Sequence, residues 1–488
     1  MSRHPLSRRI GQVPELEPGA PAIEYGADWY TWAWVGENAR RIASLTCDHP
    51  QVGILLRNRP GHVAAFLGVL LGGGTVVTIN PSRGDDRTRA DIAELRLPLV
   101  IGETDDLARF VAAGTPTVTI SGTLAEPGDL SQPVGDGAGS AVAVRMLTSG
   151  TTGPPKRIDL SYDMLAHSVM GAGYAGAAAP TELRRGVAIV NSPLVHIGGV
   201  FRVLQCVVEP RPFVLLEKFE LQAWADAVRR HRPRAVSLVP AALRTVLHSE
   251  MTRADLAGIR AVTCGTAPLS ADDADAFTEK FGIPVLTSYA ATEFGGGVAG
   301  WTLADHQRYW REKRGSVGRI NPGAKLRVVG EDGEPRAFGQ PGRLEVKPAQ
   351  LGPAADWMPT NDMARIDEDG FVWILGRADQ AIIRGGFKVM PDDVRAALEA
   401  HPAVAGAAVV GRIDDRLGET PVAMVELRAS AEPDELVDFL RTRLARYEIP
   451  TDIAIVDAIP RTASGKADLS AVRAYFRPAP ADPGNHVR

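Results

Sequence analysis

The chain is poor in several things that would mark particular classes of protein. Three cysteines in 488 residues, Cys47, Cys206 and Cys264, are too few and too far apart for a disulfide framework or a metal-ligand cluster. That usage points to a reducing compartment, and each cysteine reads as a small buried hydrophobe. Neither sign of charge dominates: 54 Lys and Arg against 58 Asp and Glu leave a net charge of −4, which argues against a dedicated nucleic-acid binder. Uninterrupted apolar runs of membrane-spanning length are missing. The stretch from Val63 to Asn80, VAAFLGVLLGGGTVVTIN, is split by Gly72, Gly73 and Gly74 into a buried helix and a strand. The first residues, MSRHPLSRRIGQVPELEPG, carry basic side chains without a following apolar stretch and read as a plain segment, not a secretory signal. A cytoplasmic location is expected. A Walker loop is lacking as well, since Gly153 is followed by two prolines before Lys156, and Ser464-Gly465-Lys466 has Pro460 where a glycine is needed.

What is present is soluble and globular: 45% hydrophobic and 23% charged residues. At this length two or more domains are expected. Short buried-strand patterns (Val52–Leu56, Thr75–Ile79, Leu99–Gly102, Val187–Asn191, Phe213–Leu216, Ala235–Val239, Ala261–Thr263, Val285–Thr287) alternate with helical ones such as Gly61–Leu71, Leu221–His231 and Ala241–Leu247. The alternation predicts layered α/β structure with largely parallel sheets. From Gly315 the texture turns to short β-runs between turns, predicting a small antiparallel barrel or sheet. After Asp379 it becomes α+β, with helices over Pro391–His401 and Glu435–Leu444 and strands over Val404–Val410 and Pro421–Leu427. The fold class is therefore α/β. A large N-terminal domain (1–378) of several layered sub-domains plus a small β-barrel is followed by a small α+β C-terminal domain (379–476) and a disordered tail (477–488).

The run from Leu147 to Lys156, LTSGTTGPPK, holds the most chemistry. Gly150 and Gly153 admit positive φ, while Pro154 and Pro155 fix the exit path. The hydroxyls of Thr148, Ser149, Thr151 and Thr152, with free backbone N–H groups, make a donor-rich concavity for phosphate oxygens, and Lys156 adds a charge at its rim. The loop implies a nucleoside triphosphate and a reaction at phosphorus.

Eight further runs follow in order. They are Asn191–Gly199 (NSPLVHIGG), Cys264–Leu269 (CGTAPL), Ser288–Glu293 (SYAATE), Gly315–Arg319 (GSVGR), Thr360-Asn361-Asp362, Gly376–Asp379 (GRAD), Gly385–Lys388 (GGFK) and Pro460–Lys466 (PRTASGK). This ordered set resembles the adenylate-forming superfamily of acyl-CoA synthetases, adenylation domains and luciferases, over nearly the whole chain.

The resemblance implies two steps: a carboxylate attacks the α-phosphorus of ATP, giving acyl-adenylate and pyrophosphate, and the thiolate of coenzyme A then attacks the acyl carbonyl. It implies that the loop from Thr148 to Lys156 holds the β- and γ-phosphates, and that Glu293, with Thr152, serves Mg²⁺, a hard cation suited to oxygen. Thr292 would contact the α-phosphate. Tyr289 and Ala290 would lie by adenine, with Gly265, Thr266 and Ala267 on another side. Asp362 and Arg377 would hold the ribose. Lys466 would neutralise charge in the first transition state, an electrostatic role typically worth on the order of 10²–10³ in rate. Asp379 matches the hinge about which the small domain rotates, Gly385 and Gly386 the pantetheine tunnel, and Lys388 a position near the adenylate in the second state. His196 matches a position between the carboxylate pocket and that tunnel. His196, Ile197, Gly198, Phe201, Gly265, Thr266, Ala290 and Val298 would line the acyl pocket, and the missing bulk at Gly198 favours an aromatic, alicyclic or longer acid over acetate.

Three positions depart from the family pattern: Arg157 and Asn361 stand where glycine is common, and Ala290 replaces the glycine of a Y-G-x-T-E run; the segment Ala467-Asp468-Leu469 after Lys466 also lacks the usual basic residue. Asparagine tolerates unusual backbone angles, so Asn361 is a mild change. None removes a group that adenylation needs. Two other readings stay open: a ligase loading the thiol of an acyl carrier protein supplied in trans, and a non-catalytic nucleotide-binding homologue. A homodimer fits the family without any residue here arguing for it.

Overall fold

A computed structural model of the chain describes residues 3–121, 124–127, 140–148, 156–176, 179–384, 387–414, 416–462 and 465–477. The described residues divide into two compact units: one takes in those up to 148, 156–326 and 346–357, and the other 327–345 and those from 358 onward.

The first unit holds three sheets. The largest has seven strands in the order Leu124–Pro127, Thr117–Ser121, Val100–Gly102, Gln51–Leu55, Thr75–Ile79, Val142–Thr148, Lys156–Ser161. Its interior pairings are parallel and its two edge pairings antiparallel. The interior strand Thr75–Ile79 is buried at every position, as expected for a strand covered on both faces. Val63 to Asn80 divides as expected into the helix Pro60–Leu71 and that strand. The helix starts on a proline and is buried almost throughout, so it needs no polar face. Among the described residues no helix is long and apolar enough to cross a membrane.

Two more sheets complete this unit. One orders Ala188–Val190, Phe213–Leu215, Pro21–Tyr25 and Asp28–Thr31. The other orders Ala235–Leu238, Ala261–Cys264, Val285–Ala291, Gly296–Gly300 and Arg319–Ile320, parallel across its first three strands and antiparallel thereafter. Trp224, Leu243, Phe277 and Phe281 bring the helices Leu221–His231, Pro240–Leu247 and Ala271–Phe281 into one core with Val236, Val262 and Val285.

In the second unit most of a four-stranded sheet (Lys325–Val329, Gly342–Lys347, Met358–Ile366, Val372–Arg377) comes from the turn-rich segment. The α+β segment orders Phe387–Val389, Ile382–Arg384, Gly418–Leu427 and Val404–Asp414, with Ile453–Val456 parallel to Gly418–Leu427. The helices Pro391–Glu399 and Pro433–Arg441 pack Val394, Leu398, Leu436 and Leu440 beneath it.

One expectation is corrected. Cys206 and Cys264 are buried, and burial pushes each thiol up to about 12. Cys47 is exposed instead, because it falls in the turn after the helix Trp32–Leu45, outside any packed face.

The packing of the helices Trp32–Leu45 and Pro60–Leu71 depends on Gly68. A Cβ there would lie 2.6 Å from the Ala39 carbonyl oxygen and 2.6 Å from the Ile42 Cβ. Backbone cannot give way as a flexible side chain does, so Gly68→Ala is expected to lower stability by about 1–3 kcal/mol. Urea unfolding of variant and wild type measures the loss.

Candidate active site

Thr148, Gly265–Ala267 and Tyr289–Ala290 lie at or just after the C-terminal ends of strands that pair in parallel, where open α/β sheets bind ligands. The strand Ala261–Cys264 runs directly into Gly265, Thr266 and Ala267. A Cβ on Gly265 would sit 3.0 Å from the Ser288 hydroxyl of the neighbouring strand Val285–Ala291, so the first motif segment lies against the second. Thr266 has a φ of 73°, a left-handed conformation that a β-branched residue rarely adopts. Strain of this kind costs on the order of 1–3 kcal/mol and concentrates at functional sites.

Tyr289 and Ala290 occupy the outer half of the strand Val285–Ala291, which pairs with Gly296–Gly300 and slips register between these two residues. The Tyr289 and Phe294 rings lie 6.0 Å apart. Thr292 and Glu293 form the short turn Thr292–Phe294 that joins the two strands, closed by the Gly295 N–H bonding the Thr292 carbonyl at 3.0 Å. The Glu293 carboxylate is exposed at this tip and makes no ion pair with the described residues. A solvated carboxylate without a cationic partner fits a hard divalent ion that keeps several waters. Val298 is fully buried on the return strand.

His196 is the residue before the helix Ile197–Val208, and its backbone N–H bonds the Pro193 carbonyl at 3.0 Å. Ile197 and Phe201 pack against the main core, while Gly198 is half-buried at the helix start. Thr148 ends the strand Val142–Thr148, and Lys156 begins the strand paired with it. Ser149, Gly150, Thr151, Thr152 and Gly153 lie outside the described residues, as do Gly385 and Gly386 and the tail beyond Arg477.

In the second unit Asp362 and Arg377 face each other as register partners on the strands Met358–Ile366 and Val372–Arg377. The Asp362 N–H is held by the Thr360 hydroxyl at 3.1 Å, and that hydroxyl donates to the Leu344 carbonyl at 2.8 Å. Arg377 forks onto Asp379 at 2.9 and 2.6 Å. Lys388 lies in the strand Phe387–Val389, opposite Ile383. Lys466 sits in a tight turn: its carbonyl accepts from the Thr462 N–H at 2.7 Å, and the Gly465 N–H bonds the Thr462 carbonyl at 2.9 Å. Asp468 caps the helix Leu469–Tyr475 through the Ser470 and Ala471 N–H groups.

Two of the three departures acquire a physical account. Arg157 spends its fork on Asp91 at 2.8 and 2.7 Å and reaches the Thr78 carbonyl at 3.1 Å, so it ties the strand Lys156–Ser161 to the helix Asp85–Leu95. Asn361 donates its amide to Asp379 at 2.9 Å, adding a clamp that glycine could not supply. Ala290 is exposed on its strand, and nothing in the structure explains its methyl group.

Asn58 was silent in the sequence, standing in no motif. Its buried amide donates to the Ser192 carbonyl at 2.9 Å and the Leu216 carbonyl at 3.0 Å, and its Oδ1 accepts from the Leu194 N–H at 2.8 Å. These bonds hold the loop that delivers His196. Asn58→Ala leaves buried backbone groups unpaired and is expected to cost roughly 1–3 kcal/mol. Thermal unfolding reads that loss, and the same variant is expected to raise KM for the acid more than KM for ATP.

Residues 12–353 match the model of the AMP-binding enzyme family, and residues 393–466 match the AMP-binding enzyme C-terminal domain. The 2-succinylbenzoate–CoA ligase of Geobacillus kaustophilus is 32% identical over 486 residues, covering 92% of this chain and 94% of that protein. The feruloyl-CoA synthase of an Amycolatopsis species is 28% identical over 494 residues, covering 94% and 97%. Among solved structures, the amide bond synthetase of Marinactinospora thermotolerans aligns with a TM-score of 0.80 at 25% identity, over 97% of this chain and 99% of that one. With one family model spanning most of its length and a second matching its C-terminal part, the chain belongs to the AMP-binding enzymes.

Proposed function

We propose that this chain is an AMP-forming acid–thiol ligase. A carboxylate oxygen attacks the α-phosphorus of ATP and pyrophosphate leaves. The thiolate of coenzyme A then attacks the acyl carbonyl and AMP leaves. The observation that carries this reading is the meeting of Gly265 with Ser288 at the strand ends, which sets the adenine-side segment beside the turn bearing Thr292 and Glu293. The names of the 2-succinylbenzoate and feruloyl relatives support coenzyme A as acceptor.

Roles follow residue by residue from the family pattern. Tyr289, Ala290, Gly265, Thr266 and Ala267 flank adenine, Thr292 meets the α-phosphate, and Thr148 to Lys156 cradle the outer phosphates. Asp362 accepts from the ribose hydroxyls and Arg377 backs it. Glu293 and Thr152 hold Mg²⁺, which when bound offsets phosphate charge. Lys466 steadies the charge of the attacking carboxylate, so that positioning and electrostatics carry the step. His196, Ile197, Gly198, Phe201 and Val298 shape the acyl pocket. Asp379 is the hinge of a C-terminal lid running from 379 to 476. Gly385 and Gly386 line the pantetheine path, and Lys388 serves the second step.

Acid-dependent pyrophosphate release, with and without coenzyme A, tests the reading. Lys466→Ala is expected to lose about 10²–10³ in the rate of pyrophosphate release. Thioester formation with coenzyme A separates this reading from transfer to a carrier-protein thiol or to an amine. No pyrophosphate release with any acid overturns it in favour of a non-catalytic nucleotide-binding homologue. Asn361→Gly removes one bond to Asp379. An exposed bond of this kind is worth less than about 1 kcal/mol, so thioester formation is expected to change by up to about fivefold while adenylation stays as it was. Single-turnover assays of each half-reaction check the split.

A further inference from the structure

One charged group that no motif includes sits beside the segments assigned to the acyl chain. Arg202 lies on the helix Ile197–Val208, one turn after Gly198, and residues four apart share a helix face. Its Nη2 donates to the Thr263 hydroxyl at 2.9 Å and its Nη1 to the Gln205 side-chain oxygen at 3.2 Å. Thr263 stands two residues before Gly265. Val262 and Cys264, its neighbours on the strand Ala261–Cys264, point into the core on one side of the sheet, so Thr263 points to the other. The guanidinium thus lies over that second face, close to the strand ends where the acid is activated.

Both hydrogen-bond partners are neutral. Among the described residues no carboxylate pairs with Arg202. Glu209 acts on Arg202 through space without a direct bond, and Gln205 bridges the two, its amide donating to Glu209 at 3.2 Å. Glu209 is itself shared with Arg211 at 3.5 Å. Burial lowers the Arg202 pKa from its ordinary value, a sign of a charge short of water. Arg202 is half-buried, and a charge partly withdrawn from water without a directly bonded carboxylate is poorly compensated. A neutral amide would bridge the helix to Thr263 just as well, whereas a guanidinium adds a planar fork that matches a carboxylate.

We propose that the acid this chain activates carries a second carboxylate, and that Arg202 pairs with it. The inference rests on the acid–thiol ligase reading. One carboxylate reacts with ATP, and the other stays unreacted at Arg202. Arg202 is then a specificity residue that touches the substrate away from the reacting atoms, so its effect falls on substrate binding.

Pyrophosphate release by the full chain, with ATP and Mg²⁺ and with hydroxylamine as trap, tests this on matched pairs of acids. Each dicarboxylic acid, aliphatic or aromatic, is compared with the monocarboxylic acid that has a methyl group in place of one carboxylate. The wild type is expected to favour the diacid in kcat/KM. Arg202→Leu is expected to lose about 10²-fold on the diacid, mostly in KM, with the monoacid unchanged or improved. Arg202→Gln keeps a donor for Thr263 and is expected to match Arg202→Leu, which separates the charge from the bridge. Equal or better use of the monoacid by the wild type overturns the inference while leaving the ligase reading intact. Equal losses on both acids in Arg202→Gln also overturn it, because they assign Arg202 to structure alone. No release with any acid overturns the ligase reading, and this inference with it.

Discussion

The architecture around the helix Ile197–Val208 depends on one buried amide. Asn58 follows the central strand Gln51–Leu55 of the seven-stranded sheet, yet its side chain bonds the backbone at Ser192, Leu194 and Leu216, at the ends of strands in a different sheet. Both amide hydrogens and the amide oxygen are satisfied, which lets a polar group stay buried without penalty. Ion pairs surround it: Arg57 with Asp106 at 2.7 Å, and Arg59 with Glu103 at 2.7 Å and with Glu217. A fully satisfied network of this kind fixes one arrangement, because each lost bond leaves a buried group unpaired. The loop it holds starts the helix that carries Gly198, Phe201 and Arg202.

Two arginines show how the same side chain takes opposite roles. Arg157 lies beside Asp91, both partners being about 15% exposed, and its fork is filled by the chain itself. It therefore stiffens the strand Lys156–Ser161 and has no charge to spare for a ligand. Arg202 meets only a hydroxyl and an amide. The difference lies in the neighbours, since the residue type and its charge are identical.

Strain and exposure also separate the site from the core. Thr266 holds a left-handed backbone and Glu293 stands in solvent at a hairpin tip, while Val262, Cys264 and Phe294 a few residues away are buried. The strand register supplies the rigidity that sustains such strain: Val262, Thr263 and Cys264 are each paired on both sides.

Periodicity and punctuation in the sequence were enough for the α/β class, for most strands of the first unit, for the helix–strand division at Gly72 to Gly74, and for the change of texture after Gly315. These are local properties: burial on both faces demands continuous apolar runs, and glycine or proline ends them. The motif residues were legible for the same reason, each run being contiguous. The helix Ile197–Val208 escaped notice because it opens on the glycine pair Gly198 and Gly199, and the edge strand Asp28–Thr31 because its place is set by long-range packing. Only the tertiary structure decided that Asn58 anchors Ser192, that Arg157 answers Asp91 and Asn361 answers Asp379, and that Arg202 lies over Thr263 without a carboxylate. Those pairings join residues from 18 to 134 positions apart. The sign and strength of each depend on which groups the fold brings within about 3 Å, a distance that no local pattern encodes.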